Sequence, residues 1–355
     1  MLFLTKTFGP GKNKTAQAYY EAVDPFNEKT TFSNWLEMNG FTSNGVAQAE
    51  DAKTVFFNAC DLGFGRSMHL KMTKASDGQT NLAFYVSNFP SAVDANANRD
   101  EIATVAMDYV PHPKFRKRMT AFYVFPKGKN QQRLTSADLD GKGAKFVPNL
   151  CMICHGGSKD QLDLVGAEGN PSGDVLARFL PFDLNSYTYG ANNGPLSQSA
   201  QAASFKILNQ AVLQTAPTPS ALTLVQGWYG SGGGGFSFVP PGWTNTPGNA
   251  NIKSAYANAF AISCRTCHVA RFDADLGFPS FADLYAKTND VDYLVYDLPK
   301  KGAEPMPNAF RTFTLFWGSE GANTAGVVMP QKPPPDQTLL LQSVLGLKGP
   351  RPAAP

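Results

Sequence analysis

Four of the chain's five cysteines and two of its four histidines fall into two short runs, NLCMICHGG at 149–157 and ISCRTCHVA at 262–270. Each spells Cys-x-x-Cys-His: Cys151, Cys154 and His155 in the first, Cys264, Cys267 and His268 in the second. On a helix, positions i and i+3 share a face, so the two thiols of a motif can bond one planar group at two points while the next residue, the histidine, turns towards its centre. That is the spacing of thioether attachment to the two vinyl groups of a haem, with the histidine as axial iron ligand. Two other chemistries use paired cysteines. Four thiolates can gather on one tetrahedral zinc, but that geometry requires no histidine directly after each pair. A redox dithiol belongs in a strand–helix context, which neither motif has, and would have to occur twice here.

These motifs need helices to present them and a core to seat them. Ahead of the first, NLAFYVSNF (81–89), EIATVAMDYV (101–110) and MTAFYVF (119–125) are rich in β-branched and aromatic residues and read as strands. TTFSNWLEMNGF (30–41) and NGVAQAEDAKTVFFNAC (44–60) read as short helices, the second running into a glycine-bearing loop at DLGFGR. Beyond residue 129 the texture is loops punctuated by helices, expected at GDVLARFL (173–180), QSAQAASFKILNQAVLQT (198–215) and TPSALTLVQGWY (218–229). The Gly- and Pro-dense stretch 227–250 marks a boundary. After it, NIKSAYANAFAISCRTCHVA (251–270) reads as one helix entering the second motif, followed by helices at FPSFADLYAKT and PNAFRTFTLFW. The expected fold class is mixed: a β-containing (α+β) domain at 1–128, mainly α and loop-rich haem regions at 129–250 and 251–330, and a Pro-rich tail at 331–355 that is either a strap or disordered.

The chain as a whole resembles a di-haem c-type cytochrome. Residues 252–320 resemble a class I cytochrome c domain: helix, Cys-x-x-Cys-His, loop, helix, Met-Pro, final helix. The resemblance implies two covalent haem c groups, with Met306 of EPMPNAF as distal ligand of the second and Pro307 shaping its loop. Met329 of VVMPQ is the rival, without a comparably regular helix after it. It also implies periplasmic or exported location, because haem is attached outside the cytoplasm, although no signal peptide is visible at MLFLTKTF.

The distal ligand of the first haem is open. Met152 lies inside its motif and cannot reach the opposite face of the ring. His69, in DLGFGRSMHLKM, is the expected ligand or lining residue, with Met68 and Met72 as lesser candidates; His112, between prolines beside KFRKR, reads as part of a surface loop. Cys60 reads as a buried free thiol, with the distal thiolate of a haem as the alternative. A ligand such as methionine or histidine closes an iron to all but electron exchange, whereas an open position admits peroxide. In the open case Arg66 and His69 are the expected catalytic pair, acting by positive charge and by proton transfer.

The formal charge of +3 on 355 residues, with 17% charged and 43% hydrophobic residues, argues for no nucleic acid partner. No run approaches a transmembrane length, and no Walker A, dinucleotide fingerprint or catalytic triad is supported. The expected function is one-electron transfer between redox protein partners, with a di-haem peroxidase or oxidase as the alternative and membership of a larger electron-transfer assembly as a third setting.

Overall fold

The computed structural model describes residues 9–58, 61–139, 141, 143–166, 169–190, 194–230, 235–271, 274–297, 312, 316 and 336–347. Helices α1 (Asn13–Val23) and α2 (Phe32–Met38) and a minimal ribbon, β1 (Thr42–Ser43) with β2 (Val46–Ala47), lead into a five-stranded antiparallel sheet. Its strands β3 (Ala52–Asn58), β4 (Phe64–Lys74), β5 (Thr80–Phe89), β6 (Ala103–Pro111) and β7 (Arg118–Pro126) pair in sequence order. Helix α3 (Ala92–Ala97) sits between β5 and β6, and a second ribbon, β8 (Ser136–Ala137) with β9 (Lys145–Phe146), follows the sheet. The fold is mixed, an N-terminal sheet followed by helices.

The three strands expected from aromatic and β-branched runs are β5, β6 and β7. The helix expected over 44–60 is instead the end of a ribbon and strand β3, and DLGFGR leads directly into a further strand, β4. The Ala, Glu and Asp of AQAEDA carry the helical signal, but Thr54, Val55, Phe56 and Phe57 bury themselves by pairing with β4. Strand context overrides local propensity here.

Side chains alternate between the two faces of the sheet. One row across the strands is Ala52, Leu70, Phe84, Met107 and Phe122; the next is Lys53, His69, Tyr85, Ala106 and Tyr123. Phe84 of the first row packs on Phe179 and Phe182, and Phe122 packs on His155. Tyr85 of the second packs on Phe32, Trp35 and Phe41 from α2 and the loop after it. The sheet thus turns one face to the first cysteine motif and the other to α2.

Edge strand β3 is covered rather than left open. The Gln201 side chain accepts from the Val55 amide at 2.6 Å and donates to the Val55 carbonyl at 2.9 Å, imitating a neighbouring strand, and Phe57 bridges to Thr188. One apolar cluster runs from Tyr19 and Trp35 through the sheet to Cys151, Met152, Ile153, Phe182 and Phe205. The first motif is therefore seated in the same core as the sheet.

Helices α4 (Asn149–His155), α5 (Lys159–Asp163), α6 (Gln198–Val212) and α7 (Pro219–Tyr229) come next, with Ser197 and Thr218 capping the last two as their sequence predicts. The long helix expected at 251–270 is realised as α8 (Ile252–Ala255), a π-helical stretch (Tyr256–Cys264) and α9 (Arg265–His268). Short helices α10 (Ala274–Gly277), α11 (Phe281–Tyr285) and α12 (Thr288–Val291) follow. Within the tail, α13 (Gln337–Leu345) buries Leu341, Val344 and Leu345 against a second core containing Trp243, Tyr256 and Phe260. No helix among the described residues is long and apolar enough to cross a membrane.

GDVLARFL is not helical. Leu176 sits at φ 58°, a left-handed conformation that breaks any helix there, and the segment is neither helix nor strand. Its carbonyls are used instead by the first motif and the turn after it.

Candidate functional site

Helix α4 carries Cys151, Cys154 and His155, and the π-helical stretch with α9 carries Cys264, Cys267 and His268. The two motifs, far apart in sequence, meet in space: α4 packs on α9, Arg271 beyond the second motif donates to the Ile153 carbonyl of the first at 3.4 Å, and Cys154 and Cys267 lie close enough for each to shift the other's thiol. The nearness of Cys267 together with burial pushes the Cys154 thiol up, while burial lifts Cys151 to about 12, and burial with a smaller contribution from Cys267 lifts Cys264 to about 12.

Both motif histidines are pinned in the same way. His155 donates from Nδ1 to the Arg178 carbonyl at 2.8 Å, and His268 from Nδ1 to the Leu276 carbonyl at 2.6 Å. A carbonyl only accepts, so each Nδ1 carries a proton, the orientation in which a neutral histidine binds a metal through Nε2. Burial holds the His155 pKa down to about 4, outweighing the Arg178 carbonyl that raises it, so this imidazole is neutral at physiological pH. Phe122 lies against His155 with ring centroids 5.3 Å apart, and Phe278 against His268 at 4.9 Å. The irregular run 173–180 supplies the Arg178 carbonyl, and the Arg178 amide bonds back to the His155 carbonyl at 2.9 Å. A helix there would have consumed these groups internally.

The glycines of CHGG make the meeting of the motifs feasible. Gly156 has φ 66° and ψ −151°, a region in which only glycine is at ease. A Cβ on it would stand 2.5 Å from the Ala270 carbonyl oxygen, two residues beyond His268, and one on Gly157 would stand 2.6 Å from the Val175 carbonyl. These residues serve backbone approach and not the cradling of phosphate.

The second motif is locked to the first region by Arg265, which lies between its cysteines. Its guanidinium is 4% exposed, pairs with Asp183 at 2.6 Å, bonds the Tyr256 hydroxyl at 2.8 Å and lies over the Trp228 and Tyr256 rings. Thr218 adds a bond from its hydroxyl to the Val269 carbonyl at 2.5 Å.

The residues expected around the first haem divide between the faces of the sheet. Arg66, two positions before Met68, lies on the face turned to the motif; its positive charge acts on His155 and Cys154, and Asp61 neutralises it at 2.6 Å. Met68 and Met72 share that parity, and both pack with the core that includes the motif. His69 points the other way. It stacks on Tyr85 at 4.2 Å and uses both ring nitrogens, towards Ser67 at 2.8 Å and Glu50 at 2.7 Å. The structure therefore separates His69 from Arg66 and from the first motif, against the expectation that the two act together there; the cause is the strand period of two, which glycine-loop reasoning about DLGFGR misses. His112 is buried rather than part of an exposed loop: its Nε2 donates to the Ala22 carbonyl at 2.8 Å, and its Nδ1 accepts from the Lys114 and Phe115 amides. Met152 is fully buried within its helix. Met306, Met329 and Cys60 lie outside the described residues.

Sequence reasoning had no means of finding Arg178, Leu276, Phe122 and Phe278, since two act through carbonyls and two through packing. Among the described residues no three His, Cys, Asp or Glu side chains converge as a metal-ion site, so the four motif cysteines are not gathered around one centre. No family model, curated protein or solved structure matches the chain.

Proposed function

We propose that this chain is a di-haem c-type cytochrome that passes single electrons between redox protein partners in the periplasm or outside the cell. The observation that carries the reading is the shared pinning of His155 and His268, each donating from Nδ1 to a backbone carbonyl beside a Cys-x-x-Cys pair. Cys151 and Cys154 would hold one haem and Cys264 and Cys267 the other; each haem iron supplies the one-electron couple. The protein's own part is to fix tautomer and orientation through Arg178 and Leu276, to exclude water with Phe122 and Phe278, and to hold the two sites together. Contact between Cys154 and Cys267 supports a short internal route for electrons, and the Asp183–Arg265 pair supports a fixed one. Residues 251–330 are assigned to a class I-like cytochrome c domain with Met306 as its distal ligand.

Arg66 favours a second reading, a di-haem oxidoreductase of peroxidase or oxidase type, because it presents positive charge on the motif side of the sheet. In that reading Arg66 would stabilise a bound anionic ligand, and the proton donor would be a residue other than His69. Low-temperature EPR of the oxidised, haem-loaded protein with and without cyanide separates the two. Two low-spin signals that cyanide leaves unchanged support the carrier; a high-spin signal converted by cyanide supports the oxidoreductase.

A further inference from the structure

The face of the sheet turned away from the cysteine motifs holds a cavity of about 240 Å3, lined among others by Lys53, Ser67, His69, Tyr85, Asn96 and Lys129. This is many times the room one water needs. Ser67 and His69 stand two apart on β4 and so share a face. The Ser67 hydroxyl meets His69 Nε2 at 2.8 Å, and His69 Nδ1 meets the Glu50 carboxylate at 2.7 Å. A carboxylate only accepts, so Nδ1 carries the proton and Nε2 is left to accept from Ser67. The Tyr85 ring stacks on His69 at 4.2 Å with an 8° interplanar angle and fixes the orientation of the imidazole. Nucleophile, base and orienting carboxylate are thus in hydrogen-bond order, a relation recognised by geometry and not by sequence position.

We propose that Ser67, His69 and Glu50 form a hydrolytic site for small carboxylic esters, independent of the cysteine motifs. The Ser67 Oγ forms a bond to the acyl carbon as the bond to the leaving alkoxide breaks; the Oγ proton passes to His69 Nε2 and then to the alkoxide. Water repeats the sequence in reverse, giving its proton to His69 and releasing the acid with Ser67 restored. Lys53 faces His69 directly in the β3–β4 register and lines the same cavity, which positions its ammonium to meet negative charge on the acyl oxygen. Glu50 is the positioning residue, acting through the imidazole. Burial lowers the His69 pKa below its ordinary value, keeping the ring neutral and able to accept a proton.

The test is labelling of the full-length, haem-loaded protein with a fluorophosphonate probe, located by peptide mass spectrometry and paired with hydrolysis of p-nitrophenyl acetate. An adduct on Ser67, absent in Ser67→Ala and slowed roughly 100-fold or more in His69→Gln, with ester hydrolysis falling in parallel, is the expected result. Glu50→Gln, at a more exposed position, carries the same expectation should His69→Gln unfold. No adduct on Ser67 under conditions that label a reference serine hydrolase overturns the proposal, as does labelling that either folded variant leaves unchanged. The outcome is independent of the haem reading, because none of these residues belongs to either motif.

Discussion

Replacing Gly156 by alanine tests whether the two motifs are held together by backbone contact. At φ 66° and ψ −151° an alanine meets strain of about 1–3 kcal/mol. Its Cβ would also lie 2.5 Å from the Ala270 carbonyl oxygen, which must retreat by about 0.9 Å to reach ordinary contact at 3.4 Å. Forcing an extra methyl into such a packed contact adds roughly 1–3 kcal/mol. The total of roughly 2–6 kcal/mol, at about 1.3 °C per kcal/mol for a chain of 355 residues, lowers the melting temperature by roughly 3–8 °C. Gly78 is the control, since it has φ 77° but nothing within 4 Å of an added Cβ, so Gly78→Ala isolates left-handed strain of about 1–2 kcal/mol. Thermal unfolding followed by circular dichroism on the two variants and the parent is the assay. If Gly156→Ala melts no lower than Gly78→Ala, the Ala270 contact does not hold the motifs together and the reasoning is wrong.

Three further outcomes are expected. Asp183→Ala strands the Arg265 guanidinium in the interior and costs about 3–5 kcal/mol, read as a fall in the denaturant midpoint. Gln201→Ala leaves the Val55 amide and carbonyl without their side-chain partners at a cost of about 2–3 kcal/mol, and native-state hydrogen exchange at Val55 accelerates accordingly. Burial lowers the His69 pKa from its ordinary 6.5, outweighing the Glu50 contact that raises it. The unfolded chain therefore takes up this proton first as pH falls, so the stability His69 contributes is complete above about pH 6.5 and declines below it. His69→Gln flattens that decline between about pH 7.5 and 5 in urea titrations, and an unchanged slope would contradict the assignment.

The two Cys-x-x-Cys-His motifs are legible because each is written in adjacent residues. So are β5, β6 and β7, whose Tyr, Phe and Val runs suit a pleated half-buried surface, and α6 and α7, whose Ser197 and Thr218 caps stand where a helix must begin. What failed depended on partners distant in sequence. The run from Thr54 to Phe57 is a strand only because β4 lies beside it. GDVLARFL has helical composition yet stays irregular, because its carbonyls serve Ser158 and His155. His69 and Arg66 are near neighbours in sequence and are expected over one haem, whereas the odd and even positions of β4 send them to opposite sides of the sheet. That same parity brings Ser67 and His69 together, which is invisible until β4 is recognised as a strand.

The central claim is covalent attachment of two haems, and intact mass with in-gel haem staining tests it most directly, on protein expressed with a cytochrome c maturation apparatus. The polypeptide should carry the mass of two haem groups, the Cys151→Ala, Cys154→Ala double variant one, and a variant lacking all four motif cysteines none. A parent chain at bare polypeptide mass, with its four motif thiols free to alkylate, would contradict the account.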